Sequence, residues 1–348
     1  MAHDSSGRRR FLKSSGAAAA GIGTAGLAGC IGGLTGGGGT PELGLAFVVP
    51  VENVGSLFAI EEIQQQMSNL GDAYELRVTR NSSTPDSLNA MAAGEVDMAL
   101  LTTVSYASAV RQEAVPGNIQ IIATDFWDAH PEFFGFTIFS NNGSGIQRAE
   151  DLSGKKLGVN ATGTGVQAVF VKQLRQVGID PQDDVQFVEL DFPAFTSAIK
   201  DGRIDAGIYP ALFAVEARQE EFTEVFSSQD AWQQEYPFAY LTASVDSANQ
   251  NTEAMNAFGQ DYMSVINYIN QNRSQVVSLA AQQFELPESV VDSFFLTERD
   301  YYREDVRVNF ERLQAAMDEM AELGFIEQSF NVQEYATNEY LPSGSGSQ

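Results

Sequence analysis

The segment GVNATGTGVQAVFVKQLRQVG (158–178) carries backbone and side-chain groups suited to anion binding. The residues before it are predicted to form a strand, and its later apolar residues recur at helical spacing. Thr162–Gly165 is therefore predicted to be a strand-to-helix turn, a place where α/β proteins bind anions. The backbone N–H of Gly163 and the hydroxyls of Thr162 and Thr164 would be the donors. Alternatively, one of these two threonines only caps the helix.

The same turn partly matches a dinucleotide-binding pattern. Gly163, Gly165 and Ala168 fit G-x-G-x-x-A, and Glu189 follows at a distance where an acidic residue would bind a ribose. A dinucleotide site, however, needs this turn on the first strand of a large sheet. Here the turn opens a short second lobe, and two additional residues lengthen it. We therefore interpret it as an anion-binding turn and expect no cofactor.

Residues at the other predicted strand ends complete a candidate cleft. Functional residues of open α/β sheets lie beyond the carboxyl ends of the strands. The candidate ligand-binding residues are Glu52, Asn53, Ser82, Ser83, Thr102, Thr103, Thr162, Gly163, Thr164, Phe192 and Tyr209. Thr84 is left out because it precedes Pro85 and is predicted to cap a helix.

The chemistry of these side chains suggests what they would contact. Thr102 and Thr103 would donate hydrogen bonds to an oxyanion. Phe192 and Tyr209 would stack on a planar ligand or enclose an aliphatic one. Glu52 would repel an anion and select an amino group, unless it is simply solvated.

An internal repeat sets the architecture that must position these residues. NAMAAGEVDMALLTT and SAIKDGRIDAGIYPA both contain a helix end, a glycine, an aspartate and an alternating strand. Gly94 and Gly202 are predicted to end the two helices. Asp97 and Asp205 open the two strands, at the end away from a ligand, and are expected to be structural. The repeat predicts two α/β lobes.

Two long apolar runs, 133–140 and 236–245, are predicted to cross between the lobes. They would provide hinges near Thr137–Ser140 and Leu241–Ser244. Trp127 and His130 precede the first run. They would either reach the cleft from the hinge or, as the simpler interpretation, belong to a loop anchored by buried aromatic residues. The predicted domains are a signal peptide (1–29), a lipidated cysteine with a Gly-rich tether (30–41), lobe 1 (42–137 plus 243–341), lobe 2 (138–242) and a disordered tail (342–348).

The first residues of the chain indicate export. Arg8–Arg10, Phe11 and a short run of small residues resemble a twin-arginine signal peptide. Leu27–Cys30 resembles a lipobox, whose cysteine would become the lipidated first residue of the mature protein, followed by a flexible tether. The alternative is a Gly/Ala-rich tail with a chance cysteine. We expect a lipid-anchored protein on the extracytoplasmic face of the cell membrane.

The charge of the chain restricts its partners. Residues 30–348 carry 16 Lys and Arg against 45 Asp and Glu, and the whole chain has a formal net charge of −26. This charge disfavours nucleic acid and anionic membrane surfaces as partners. With 43% hydrophobic residues the chain is expected to fold, as halophilic proteins do, in molar salt that screens repulsion beyond about 3 Å. We expect a monomer.

Three stretches together resemble a known family of transport proteins. They are EDLSGKKLGVNATGTG, AIKDGRIDAGIYPALFAVEA and LGFIEQSFNVQEYATNEYL. The chain resembles the substrate-binding lipoproteins of ABC importers, in the group for nitrate, sulfonates, taurine and thiamine-precursor pyrimidines. The resemblance implies a type II periplasmic-binding-protein fold: two α/β lobes joined by two crossovers, with a helical C-terminus.

The function implied is delivery of a small anionic or zwitterionic ligand to the membrane permease of an ABC importer. Two alternatives share the fold: a solute receptor of the TAXI type, which serves a tripartite (TRAP) transporter, and an enzyme similar to the pyrimidine-precursor synthases. The enzyme is disfavoured because His130 is the only histidine after processing and Cys30 is committed to lipid. We expect no catalytic residues and no metal.

Overall fold

The computed structural model describes residues 39–298, 300 and 305–343. The described residues from Thr40 onward form one compact unit. The predicted signal peptide, Cys30, most of the tether and residues 344–348 lie outside the described residues. Within the described part of the chain, no helix has both the length and the apolarity needed to cross a bilayer.

A first five-stranded sheet has the strand order β2-β1-β3-β10-β4. Its strands are β1 Glu42–Phe47, β2 Glu75–Arg80, β3 Met98–Thr102, β4 Ile119–Asp128 and β10 Tyr236–Ser244. β1 runs parallel to β2 and β3, whereas β10 runs antiparallel to both of its neighbours. This sheet and the elements packed on it are called lobe 1 below.

A second five-stranded sheet repeats this arrangement with the order β7-β6-β8-β5-β9. Its strands are β5 Phe136–Ser140, β6 Lys156–Val159, β7 Gln186–Glu189, β8 Ala206–Pro210 and β9 Thr223–Ser227. The strands β6, β7 and β8 are parallel, and β5 runs antiparallel to β8 and β9. This sheet and its helices are called lobe 2.

The internal repeat has the same local structure in both lobes. Gly94 and Gly202 follow their helices with left-handed φ angles of 71° and 69°. The carboxylate of Asp97 accepts a hydrogen bond from the backbone of β1, and that of Asp205 accepts one from the N–H of Lys156, 2.8 Å away in β6. Each aspartate therefore fastens two parallel strands where they begin.

Helices cover the sheets and form most of the C-terminal third. The α-helices are α1 Glu61–Gln64, α2 Thr84–Ala92, α3 Thr103–Gln112, α4 Gly165–Gln176, α5 Phe195–Lys200, α6 Ala211–Gln219, α7 Ser228–Trp232, α8 Val245–Gln250, α9 Thr252–Gln271, α10 Arg273–Gln283, α11 Glu288–Phe294 and α12 Phe310–Glu322. The described 3-10 helices are Val54–Ala59, Ala149–Leu152, Phe192–Ala194 and Val332–Glu334. The apolar stripe of α12 buries Leu313, Met317 and Met320.

Two segments differ from the patterns read in the sequence. Helical periodicity predicts one helix over 55–70, but Ile60 is extended (φ −99°, ψ 120°) and separates a 3-10 helix from the single turn of α1. The lobe boundary expected at residue 242 falls inside β10, which belongs wholly to the first sheet. Thr137–Ser140 and Leu241–Ser244 are likewise inside sheet strands, so the links between the lobes are 129–135 and 228–235.

Candidate ligand-binding site

The carboxyl ends of the parallel strands of both sheets face a set of cavities. A central cavity has a volume of about 30 Å³. Its polar lining comes from both lobes and consists of Glu52, Thr84, Thr102, Asn160 and Thr164. Its apolar lining consists of Val48, Val49, Phe136, Val166, Phe192 and Phe238.

An aromatic cavity adjoins the central one on the side of the links. Its volume is about 50 Å³, and Val49 and Glu52 line both cavities. Most of its other lining is apolar, with four aromatic residues in the chain segment that leaves lobe 1: Phe126, Trp127, Phe133 and Phe134. Trp127 thus lines a cavity, which is one of the two positions considered for it in the sequence. A third cavity, lined by Arg80, Ser82 and Phe192 among others, lies toward the β2 and β7 edges.

The loop after β1 contributes a strained residue to this site. Val51 is 1% exposed, lines the aromatic cavity and has a φ of 54°, which is an outlier for a β-branched residue. Its N–H donates to Ser56 Oγ at 3.0 Å, and the Ser56 hydroxyl donates to the carbonyl of Asn53 at 2.8 Å. The N–H of Val54 donates to the buried carboxylate of Asp125 at 3.1 Å. Backbone strain that is maintained by surrounding hydrogen bonds, as at Val51, is typical of residues in ligand-binding sites.

The turn before α4 has the predicted conformation, but other protein groups bind its donors. The carboxylate of Glu189 accepts hydrogen bonds from the backbone N–H and the hydroxyl of Thr162, at 2.7 and 2.6 Å. These bonds stabilise the ionised form and lower the pKa of Glu189. The N–H of Gly163 donates to the side chain of Gln167 at 2.7 Å. The hydrogen-bond donors of Thr162 and Gly163 are therefore engaged within lobe 2, and the two residues line none of the three cavities.

The first residues of α4 contact lobe 1. The N–H of Gly165 donates to the hydroxyl oxygen of Thr102 at 3.0 Å. The hydroxyl of Ser105, on α3, donates to the carbonyl of Gly163 at 3.2 Å and lies 2.7 Å from the hydroxyl of Thr84. A chain of hydroxyls thus closes the cleft over the central cavity.

Four of the predicted residues make structural contacts instead of lining the cavities. Ser83, not Thr84, is the N-cap of α2, and its hydroxyl bonds to Asp86. The hydroxyl of Thr103 donates to the carbonyls of Pro237 and Phe238, so its proton is not available to an oxyanion. Tyr209 lies in the core of lobe 2, between aromatic rings. Asn53 is buried at the N-terminus of its 3-10 helix.

Of the predicted set, the cavity lining contains Glu52, Ser82, Thr102, Thr164 and Phe192. Thr84 and Asn160 were missed. The Ser83 cap moves Thr84 into the first turn of α2, where its hydroxyl faces Ser105. Asn160 directly follows the last residue of β6, and the rule that strand carboxyl ends carry the site was sufficient to find it.

Asp128, at the end of β4, connects both links to lobe 1. Its Oδ1 accepts hydrogen bonds from the N–H groups of Ala129 and Gly135 at 2.7 Å, and from the hydroxyl of Ser228 at 2.8 Å. Burial raises the pKa of Asp128 to about 6, although these three hydrogen bonds act in the opposite direction.

Comparisons with known proteins agree with this architecture. The aliphatic sulphonate binding protein SsuA of Escherichia coli superposes with a TM-score of 0.65 at 17% identity, covering 88% of this chain and 95% of that one. The alkanesulfonate-binding protein SsuA of Xanthomonas axonopodis pv. citri, bound to MOPS, superposes with a TM-score of 0.68 at 14% identity. The match covers 85% of this chain and 98% of that one. The nitrate-binding protein NrtA of Synechocystis PCC 6803 superposes with a TM-score of 0.69 at 12% identity. The match covers 86% of this chain and 87% of that one. No curated protein matches the chain in sequence.

At such low identity these likenesses establish the fold alone, and it is the periplasmic binding protein fold. The sequence itself carries the family assignment. Residues 74–272, which include the cavity-lining Thr84, Thr102, Asn160 and Thr164, match the family model described as NMT1/THI5 like. Since this match covers more than half of the 348 residues, the chain belongs to the NMT1/THI5-like family.

Proposed function

We propose that the protein is an extracytoplasmic solute-binding protein that closes on a small organic or inorganic ligand and delivers it to the permease of an ABC importer. The observation that carries this proposal is the contact of Gly165 with Thr102 across the cleft, above a cavity lined by both lobes. A ligand that touches both sides would favour the closed arrangement over the open one. Lobe movement would occur at the links 129–135 and 228–235.

The family and the neighbouring structures support this assignment. The neighbours are named as sulfonate-binding and nitrate-binding proteins, so the ligand class proposed is a small anionic or zwitterionic molecule. A role in binding rather than catalysis is further supported by the histidine content of the described residues. The one histidine among them, His130, stacks on Phe133 and lines none of the three cavities.

The location of the protein is proposed from the first 41 residues together with the family. The twin-arginine motif and the lipobox would place mature protein outside the cell, attached through lipid on Cys30. The Gly-rich stretch after Cys30 would then let both lobes move above the membrane. A monomer would be sufficient to bind the ligand, since the described residues of a single chain line all three cavities.

The test is to identify the ligand of protein expressed in its native salt. Native mass spectrometry would show a bound small molecule, which is then extracted and identified. Calorimetry in molar KCl against nitrate, taurine, alkanesulfonates and aminopyrimidines would give the affinity, and small-angle scattering would show contraction on binding. The absence of both a co-purified ligand and any titratable binding would contradict the proposal.

A further inference from the structure

Helix α11 has two apolar sides that pack against different parts of the protein. Val291 and Phe295 are four residues apart, so they share one side of the helix, and both are buried in the core of lobe 1. Val290 and Phe294 share a neighbouring side and are half-buried. These two residues pack against an apolar cluster that includes the core of lobe 2. α11 therefore belongs to lobe 1 but reaches lobe 2.

Arg273, the first residue of α10, fastens the end of α11 to lobe 1. Its guanidinium donates to the carboxylate and the carbonyl of Asp292, both at 2.6 Å. It also donates to the carbonyls of Phe295 and Leu296, at 3.1 and 2.7 Å. A planar guanidinium that binds several acceptors at once restricts their movement relative to it. α11 is therefore expected to move with lobe 1 when the lobes close.

On the other side of the aromatic cavity, α11 meets lobe 2. It contacts α6, which begins directly after β8. Phe294, the last residue of α11, lines the aromatic cavity together with Ala211 and Leu212, the first two residues of α6. This is a second contact between the lobes, in addition to that of Gly165 with Thr102. It lies at the aromatic cavity and comes from a helix outside the segment that matches the family model.

The volume of the aromatic cavity limits what can occupy it. It is about 50 Å³, whereas an apolar cavity that binds benzene in another protein measures about 150 Å³. With the two lobes in this arrangement, the cavity is therefore too small for a phenyl ring. Phe294 is one of the rings that reduce its volume, and alanine at this position would remove that ring from the wall.

We propose, on the basis of the solute-binding function above, that Phe294 determines specificity by limiting the size of the ligand's apolar part. Because α11 is fastened to lobe 1, a ligand with a larger apolar part would contact Phe294 before α6 reaches it. Such a ligand would hold the lobes apart, so the open arrangement would be favoured and the affinity would fall. A ligand whose apolar part is smaller than a phenyl ring allows α11 and α6 to meet.

The experiment uses two pairs of probes, methanesulfonate with phenylmethanesulfonate and methylamine with benzylamine. Within a pair the head group is the same, and the second compound carries a phenyl ring in place of a hydrogen atom. By calorimetry in molar KCl, the wild type should bind the smaller compound about tenfold or more tightly. This preference should disappear in Phe294→Ala. Phe284→Ala is the matched control, since Phe284 packs on Phe47 in lobe 1 and lines none of the three cavities, so its preference should equal that of the wild type.

Three results would overturn the inference. They are tighter binding of the phenyl compound by the wild type, an unchanged preference in Phe294→Ala with a native circular dichroism spectrum, and a phenyl-sized or larger apolar part in a ligand that co-purifies with the wild type. If Phe294→Ala does not fold, Phe294→Leu replaces it and should show a smaller preference than the wild type.

If none of the four probes binds, the ligand that co-purifies with the wild type decides by the size of its apolar part. The absence of both a co-purified ligand and any probe binding would instead contradict the solute-binding function on which the inference rests. The two failures are therefore distinguishable.

Discussion

The N–H of Gly165 and the hydroxyl oxygen of Thr102 lie 3.0 Å apart and join the two lobes. Gly165 is at the N-terminus of α4, where the sequence predicts an anion site. In the closed arrangement this helix end is bound to lobe 1 by a hydroxyl. A Cβ atom added at Gly165 would lie 2.7 Å from the ring of Phe238 and 3.0 Å from Cβ of Thr102, so the contact requires glycine.

Gly165→Ala should therefore hinder closure. We expect a larger radius of gyration in small-angle scattering with ligand present, and an affinity reduced by about tenfold. The reason is that Phe238 and Thr102 must both move away from the added methyl group before the lobes can close. Gln167→Ala is the control, since Gln167 bonds to the same turn but only within lobe 2. Unchanged affinity in Gly165→Ala would show that the binding state does not contain the Gly165–Thr102 contact.

Asp128 should make stability fall as pH rises. Its pKa is raised from 3.8 to about 6, so folding favours the protonated carboxyl. This preference contributes at most about 3 kcal/mol to the free energy of unfolding. The contribution is complete below about pH 4 and is lost as the pH rises through about 6. Asp128→Asn keeps an oxygen acceptor and does not titrate. Urea unfolding in molar KCl between pH 4 and 7 should show a steeper decline for the wild type than for this variant; parallel curves would refute the assignment.

Low salt should destabilise the protein. Mutual repulsion among 45 acidic and only 16 basic residues after Cys30 grows as the screening length rises from about 3 Å to about 10 Å. Circular dichroism melts from molar KCl down to about 0.1 M should show a falling midpoint. Sucrose of equal osmolarity is the control, because it does not screen charge. A constant midpoint would remove the halophilic interpretation.

Cys30→Ser should release the protein from the membrane. Without a thiol no lipid can be attached, so the variant should be found in the medium or as unprocessed precursor. Fractionation followed by intact-mass measurement distinguishes these forms from lipidated mature protein. Mature Cys30→Ser protein that still sediments with membranes would contradict lipid anchoring. Asn142→Ser, in an exposed turn of lobe 2, serves as a control for effects of substitution on export.

The sequence was sufficient for the fold because its signals are local and repeated. Gly94 and Gly202 each have an aspartate three residues later, and this repeated pattern predicted that the two lobes share one arrangement of strands. Periodicity also located α4 and the strand before it. The sheet to which β10 belongs could not be predicted, because an apolar extended run has the same pattern in either sheet.

The site was harder to predict because it depends on where protons are directed. A threonine at a strand end looks the same in the sequence whether its side chain lines a cavity, as at Thr102, or donates to a carbonyl inside the protein, as at Thr103. Glu189 suggested a ribose contact by its spacing, and it actually binds Thr162. Only long-range packing decides between these outcomes.

The position of β10 has a consequence for the order of folding. All five strands of the second sheet come from the contiguous segment 136–227, so lobe 2 can complete its sheet from uninterrupted chain. In the first sheet, β10 pairs with both β3 and β4, and it is synthesised after the whole of lobe 2. On a ribosome or during refolding, lobe 1 therefore stays an open, partly exposed sheet until residues 236–244 insert between β3 and β4. Closure of this long loop makes lobe 1 the slower lobe to fold and the one more exposed to aggregation.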